Sequence, residues 1–318
     1  MSEKAVPRYK RSLLKELESN IRHLRYNIKY SMEMLKTLGG RELLNVLLFN
    51  LKKEKEFEVN LSITAIIRNE APYIKEWIEF HKLVGVQKFY IYDNESTDNI
   101  KEVLAPYIEN GDVVYKYFPG EKMQFAAYND SIIENRYKTK YMAIIDLDEF
   151  IVPVKYDTIL DFIEDLQSQN KQKIAAIGIS WLIHGFNGHY EKVDGLLTEQ
   201  YPKCEFEASA SSSVKSIVNP RSVLKVYNPH FALHVLGSKV INAAGKNMHG
   251  PYTKPSFDSI RLNHYYTKSY EEHVKRIEKG KADGNNSAKV VEYLPEYWSC
   301  DEDDAIKKYI PALKLKMQ

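Results

Sequence analysis

Apolar residues change their spacing near residue 58. Before it, LLKELESNIRHLRYNIKYSMEMLKTL and, beyond Gly39-Gly40, RELLNVLLFNLKKEKE carry them at helical spacing with Lys and Arg between. The pattern predicts a helical appendage with a basic bias over residues 1–58. Two roles suit it: a packing or oligomerisation hairpin, or a basic amphipathic helix lying on anionic lipid. From Leu61 the spacing tightens. LSITAII is a short β-branched run that predicts a buried strand, and APYIKEWIEFHKLVG returns to helical spacing with Pro72 near its start and Gly85 at its end. KFYIYD, DVVYKYF and YMAIID predict three more strands. STDNIKEVLAPYIENG and QFAAYNDSIIENRYK predict the helices between them.

Strand–helix alternation of this kind implies an α/β fold with a mostly parallel sheet covered on both faces, and ligands outside the carboxyl ends of its strands. After Asp157 the alternation becomes irregular. KIAAIGISWLIHGF predicts a strand. Residues 184–260 are rich in Gly, Pro, Asn, His and Ser, as loops over a site are. SYEEHVKRIEKGKADG predicts a helix ending near Gly280, and the tail beyond Leu294 is helical in composition. The chain therefore divides into an appendage (1–58), a first half of the main domain (59–157), a second half with a lid (158–294) and a tail (295–318).

Composition adds mainly exclusions. In 318 residues, 44% are hydrophobic and 28% charged, values ordinary for a globular protein, and a net charge of +2 gives no reason to expect nucleic acid. Twenty-three tyrosines suit a site that handles sugars. Cys204 and Cys300 are far apart in sequence, so neither a disulfide framework nor a zinc site is expected. With no signal-peptide order and no run of roughly 18 apolar residues, the expected location is the cytoplasm, at most on the inner face of a membrane.

Polar groups cluster where three predicted strands end: Arg68-Asn69-Glu70, Asp93-Asn94-Glu95, and Asp146-Leu147-Asp148-Glu149. Helix capping explains Ser96-Thr97-Asp98 equally well. It does not explain Asp146 and Asp148, because a cap needs one acceptor and two alternating carboxylates repel unless a cation sits between them. Mg²⁺ or Mn²⁺ there would fill its sphere with phosphate oxygens and water. The sequence has no P-loop and no GxGxxG, so a diphosphate would rest on the metal and on groups from the second half such as Lys215, Arg221, Lys268 and Ser269. Six histidines (184, 189, 230, 234, 249 and 264) fall in the loop-rich stretch of that half, and each alone suits a structural role. His264, between a strand-like run and a helix, is the one placed to complete a carboxylate–imidazole site.

Four motifs in this order resemble glycosyltransferase family 92 and its family 2-like bacterial relatives. They are RNE with EW, FH and GV downstream (Arg68 to Val86), YDNES-x-D (Tyr92 to Asp98), D-x-DEF (Asp146 to Phe150), and KSIVNP with His230 and LNHYYTKS (Lys215 to Ser269). The likeness covers roughly residues 61–281. It implies a GT-A fold, a nucleotide-sugar donor, usually UDP-linked, and Mn²⁺ or Mg²⁺. It further implies that Arg68, Asn69 and Glu70 lie beside the nucleotide and that Asp93 contacts base or ribose. Asp146 and Asp148 would meet ribose and metal, His264 the metal, and Lys215 and Lys268 the diphosphate or sugar. Family 92 members invert the anomeric centre, and galactose is a donor sugar among them.

An inverting transfer also needs a base beside the acceptor hydroxyl. The acceptor, a glycan or lipid-linked glycan, is expected against WLIHGFNGHYEKVDGLLTEQ, where Trp181, Phe186 and His189 would contact it and Tyr190 stack on it. Glu199 is the first choice of base, Asp194 the second and Glu191 the third; the Glu-Asp pair that many inverting relatives use is absent. Glu149 is expected to brace the loop rather than bind. Two rival readings are a non-catalytic nucleotide-sugar or glycan binder on the same fold, and an aspartyl phosphotransferase. The second conflicts with the motif's place after the fourth strand.

Overall fold

The structure, a computed structural model, describes residues 13–53, 56–279 and 299–318. In chain order the elements are α1 (Leu13–Leu38), α2 (Gly40–Leu47), β1 (Val59–Ile67), α3 (Ala71–Leu83), β2 (Lys88–Asp93), α4 (Ile100–Glu109), β3 (Val113–Tyr117), α5 (Gln124–Asn135), β4 (Thr139–Ile144), β5 (Glu149–Pro153) and α6 (Ile159–Ser168). There follow β6 (Ile174–His184), α7 (Leu197–Gln200), β7 (Lys203–Glu205), β8 (Val214–Val218), β9 (Val223–Val226), β10 (Ala232–His234), β11 (Lys239–Asn242), β12 (Ile260–His264), α8 (Tyr270–Lys279), β13 (Asp301–Glu302) and α9 (Ile310–Met317).

The sheet begins with four parallel strands in the order β3-β2-β1-β4, continues through antiparallel β8, and passes to β6. It is the mixed, curled sheet with flanking helices expected of a GT-A domain. Alternation of side chains along each strand supplies two cores. Leu61, Ile63, Ala65, Phe89, Ile91, Tyr141 and Ala143 face α3, α4 and α6. Tyr90, Tyr92, Met142 and Ile144 face α5 and β9. Gly85 ends α3 at φ 96°, a left-handed turn that its missing Cβ permits.

The irregular half is more ordered than its composition suggests. The helix after Asp157, α6, is not foreseen by the sequence reading, although Thr158 and Asp161 form a capping box at its start. β6 is long enough to serve two neighbourhoods. Its first half pairs with β8 and β11, and its second half pairs with β12 and β7. The tail is not wholly helical: β13 pairs with β7 before α9 packs on α3. Gly280, near which the last predicted helix of this half is expected to end, lies outside the described residues.

Two histidines are structural. His81 accepts from Ile151 N–H at Nε2 (3.2 Å) and therefore donates from Nδ1 to the Trp77 carbonyl (2.8 Å). His234 pairs with Ser222. Burial holds both imidazoles down to about 3, with His23 adding to the effect at His234. Unfolding frees them to protonate near 6.5, so the unfolded chain binds more protons below that pH. Stability is therefore fully present above pH 6.5 and lost as the pH falls toward 3. Urea unfolding is expected to show a loss of about 1.4 kcal/mol per pH unit for each histidine between pH 6.5 and 5; a flat profile there contradicts the neutral buried state.

Candidate active site

The parallel register brings the first two polar clusters together. Ile67 lies opposite Asp93, and the loops beyond are laced. Asn69 N–H donates to Ser96 Oγ (2.9 Å), and Asn69 Oδ1 accepts from Thr97 N–H (2.7 Å). Asp98 accepts from the Ala71 N–H at the start of α3 (2.9 Å) and from Ile100 N–H (3.3 Å), so it does serve as a cap, across two helices. Asn69 and Glu95 both have positive φ, as does Lys268, whose ammonium meets Glu70. Strain of this kind in non-glycine residues collects at binding sites. Asp93 is buried, and its two oxygens accept from Ser96 N–H (2.9 Å) and the Tyr115 hydroxyl (2.5 Å).

A second register delivers the histidine. β5 starts at Glu149, and antiparallel β12 sets His264 opposite it. A residue 116 positions downstream thus arrives beside Asp148. His264 Nε2 stands 3.4 Å from Asp148 Oδ2, yet both ring nitrogens are buried without a hydrogen-bond partner. Arg276 Nη1 of α8 reaches the same carboxylate oxygen at 2.6 Å. Burial opposes ionisation of Asp148, but Arg276 and then His264 outweigh it and hold the carboxyl well below its usual range.

Asp146 is held differently. Its oxygens accept from Tyr128 (3.0 Å) and Lys215 (2.7 Å). Lys215 is only 1% exposed, with Glu149 Oε2 also 3.6 Å away. The expectation that Lys215 reaches the donor is corrected by this burial: it lies behind the turn and offsets the charge of Asp146. Glu149 braces the loop, as expected. Its Oε2 accepts from Asp146 N–H (2.8 Å), its Oε1 from Trp181 Nε1–H (2.7 Å), and its carbonyl from Trp77 Nε1–H (2.8 Å).

Among the described residues, no three His, Cys, Asp or Glu side chains converge closely enough to hold a metal alone. Asp148 with the unpartnered imidazole of His264 is instead a two-ligand set. That fits a hard cation which completes its sphere with phosphate oxygens and water.

The remaining sequence candidates scatter. Lys268 pairs with Glu70 (3.1 Å) and sits 3.8 Å over the Tyr73 ring. Arg68 is exposed at the end of β1. Ser269 is buried and caps α8 through Glu272. Arg221 packs on Phe49 and Phe57, beside the appendage. Trp181 is partly buried between His230 and His264, its indole committed to Glu149. Phe186 is buried against Tyr190, which is exposed. His189 points at the Gln200 carbonyl (3.1 Å). Glu199 pairs with Lys314 of α9 (2.6 Å), with no contact to the carboxylate cluster, while Asp194 and Glu191 lie on an exposed turn.

Tyr128, Arg276 and Glu76 were not singled out from the sequence. Arg276 sits nearly two turns into α8, a helix read only as a lid. Glu76 is buried, and its oxygens accept from Leu197 N–H (2.7 Å), Thr198 N–H (2.9 Å) and Thr198 Oγ1 (2.8 Å). It thereby ties the acceptor-side loop to α3. Glu76→Ala is expected to lower stability by about 3 kcal/mol in urea unfolding, because three donors lose a charged partner. Loss of less than about 0.5 kcal/mol would mean the loop is held elsewhere.

Residues 55–296 match the sequence model of glycosyltransferase family 92. The glycosyltransferase family 92 protein Os08g0121900 of Oryza sativa subsp. japonica is 27% identical over 81% of this chain and 40% of its own length. Galactan beta-1,4-galactosyltransferase GALS2 of Arabidopsis thaliana is 28% identical over 62% of this chain and 40% of its own. Beta-1,4-galactosyltransferase galt-1 of Caenorhabditis elegans is 30% identical over 35% and 30% respectively. The chain thus spans well under half the length of these relatives.

Proposed function

Because the chain belongs to glycosyltransferase family 92, we propose that it moves a hexose, galactose in type, from a UDP-sugar to a hydroxyl of a glycan or lipid-linked glycan, inverting the anomeric centre. The observation that carries this reading is the Asp146-Leu147-Asp148 turn, closed by a histidine whose ring nitrogens have no other partner. The two relatives named as beta-1,4-galactosyltransferases support the sugar.

Asp148 and His264 would hold Mn²⁺ or Mg²⁺, with Asp146 behind them at the ribose or the metal's water. The cation would draw off charge as the nucleoside diphosphate leaves. Arg68, Asn69, Glu70 and Asp93 line the nucleotide's side of the crevice. Lys268 and Arg276 are the cations at hand for the diphosphate, and Lys215 keeps Asp146 charged from below. Because Arg276 belongs to α8, that helix would follow the donor and shield it from water. On the acceptor side, Trp181, Phe186 and His189 shape the wall that meets the sugar. Lys314 takes up Glu199, so Asp194, on its exposed turn, becomes the first base to test.

Thermal-shift measurements against a nucleotide-sugar panel, with and without Mn²⁺, test the reading. UDP-galactose is expected to raise the melting temperature, and to raise it further with metal. Absence of a shift with every UDP-sugar would sink the donor assignment.

A further inference from the structure

Helix α1 has two apolar faces, and among the described residues only one is packed against the domain. On the inner face Met34 packs with Leu224, Leu233 and Val235. Tyr26 meets Tyr227 edge to face at 5.2 Å and Tyr30 stacks on it at 6.1 Å, and Glu33 pairs with Lys225 at 2.7 Å. The helix is therefore seated on the domain. On the outer face Leu17, Ile21, Leu24, Ile28, Met32 and Leu35 are each between 45 and 58% exposed. At 3.6 residues per turn these six fall within roughly a quarter of the circumference, in a stripe about 27 Å long. Leu44 and Leu47 of α2 are exposed as well. A stripe this long and unbroken is uncommon on a surface that meets only water.

The charges select what covers it. Arg22, Arg25, Lys29 and Lys36 are exposed and run along one edge of the stripe. Glu18 is the one exposed acid beside them among the described residues. On α1 and α2 the other acids with described side chains are paired with the domain: Glu33 with Lys225, and Glu42 with Arg136 (2.9 Å). A second copy docked antiparallel would set basic edge against basic edge, which like-charge repulsion opposes. A bilayer rich in anionic headgroups meets both features, taking the apolar stripe into its boundary and the cations at its phosphates.

We infer that α1 is a surface anchor that lays this domain flat on an anionic membrane. The inference stands on the outer face of α1 and is independent of the donor assignment.

The test is co-sedimentation of the full chain with phosphatidylcholine vesicles, and with vesicles carrying about 30% phosphatidylglycerol. Partitioning is expected to be at least about tenfold stronger on the anionic vesicles. About 0.5 M salt, which shortens the screening length below 5 Å, should remove that preference. Leu24→Ser/Ile28→Ser should abolish binding to both vesicles. Arg25→Glu/Lys29→Glu should abolish only the anionic preference. Both variants should keep the wild-type circular dichroism and UDP-induced thermal shift, which separates this inference from the donor reading. Equal or absent binding of the wild type to the two vesicles overturns it. So does a stable dimer in light scattering that Leu24→Ser/Ile28→Ser dissociates, because the stripe would then belong to a second copy.

Discussion

Asp148→Ala lowers UDP release from UDP-galactose in the presence of Mn²⁺ by about a thousandfold or more. The expectation follows from what the carboxylate touches. Asp148 is nearly buried and stands within reach of two groups, Arg276 at 2.6 Å and His264 at 3.4 Å. On the proposed metal role, removing it would take away one of the two protein ligands and leave His264 alone. Loss of about 4 kcal/mol of stabilisation at the leaving diphosphate corresponds to that factor. Stability should change much less. The Arg276 side chain is 43% exposed, so water replaces the lost partner, and an ion pair with one such member contributes little to folding. The decisive pair of measurements is activity and the Mn²⁺-dependent part of the UDP thermal shift. Both should vanish together while the unliganded melting temperature stays within a few degrees. Retention of near wild-type turnover would remove Asp148 from the metal role.

Why Asp148 could be picked from the sequence, and its partners less readily, has a physical basis. The first half of the domain is built by local rules. Strand alternation, Pro72 and Gly85 around α3, and polar strand ends all follow from neighbours in the chain, and KFYIYD is β2 to the residue. Motif order then made Asp146, Asp148 and His264 legible as a set. What remained hidden was set by register and depth. Nothing in LNHYYTKS says that β12 runs antiparallel to β5, which is what sets His264 beside Asp148. Nothing near Lys215 says that its ammonium points inward, since lysine is usually a surface residue. Arg276 looked like one more charge on an amphipathic helix. Glu76 lay in a motif whose neighbours Trp77 and His81 are core, and its own task, capping α7 from α3, exists only once the loop at 197–198 has returned across 121 residues. The acceptor residues were least legible because one bulky aromatic serves equally as wall or as core. Trp181 turned out to be both a brace for Glu149 and a packing partner for His264.

Lys215→Met should be the most destabilising single change at this site, by about 3–5 kcal/mol, or a fall in melting temperature of roughly 6–10 °C. Lys215 is the buried cation beneath two carboxyl groups, 2.7 Å from Asp146, whose side chain is 31% exposed, and 3.6 Å from the fully buried Glu149. Burial pushes the Glu149 carboxyl up to about 8, with the Asp146 and Asp148 charges adding to the effect and Lys215 opposing it. Burial pushes Asp146 the same way, yet Lys215 beside it brings that carboxyl below its usual range. One buried ammonium therefore keeps one carboxylate ionised while the neighbouring carboxyl is favoured in its protonated form. Methionine fills the volume of the lysine stem and removes only the charge, so the measured loss reports electrostatics rather than a cavity. The partner left behind is Asp146, and this fixes the control. Asp146→Asn in the Lys215→Met background should restore at least about half of the lost stability, because the uncompensated charge is gone, whereas the same substitution in the wild type should destabilise. Activity should recover in neither variant. If the double variant is no more stable than Lys215→Met alone, the pair is not coupled. The floor of the crevice would then owe its stability to the Glu149 hydrogen bonds rather than to the buried cation.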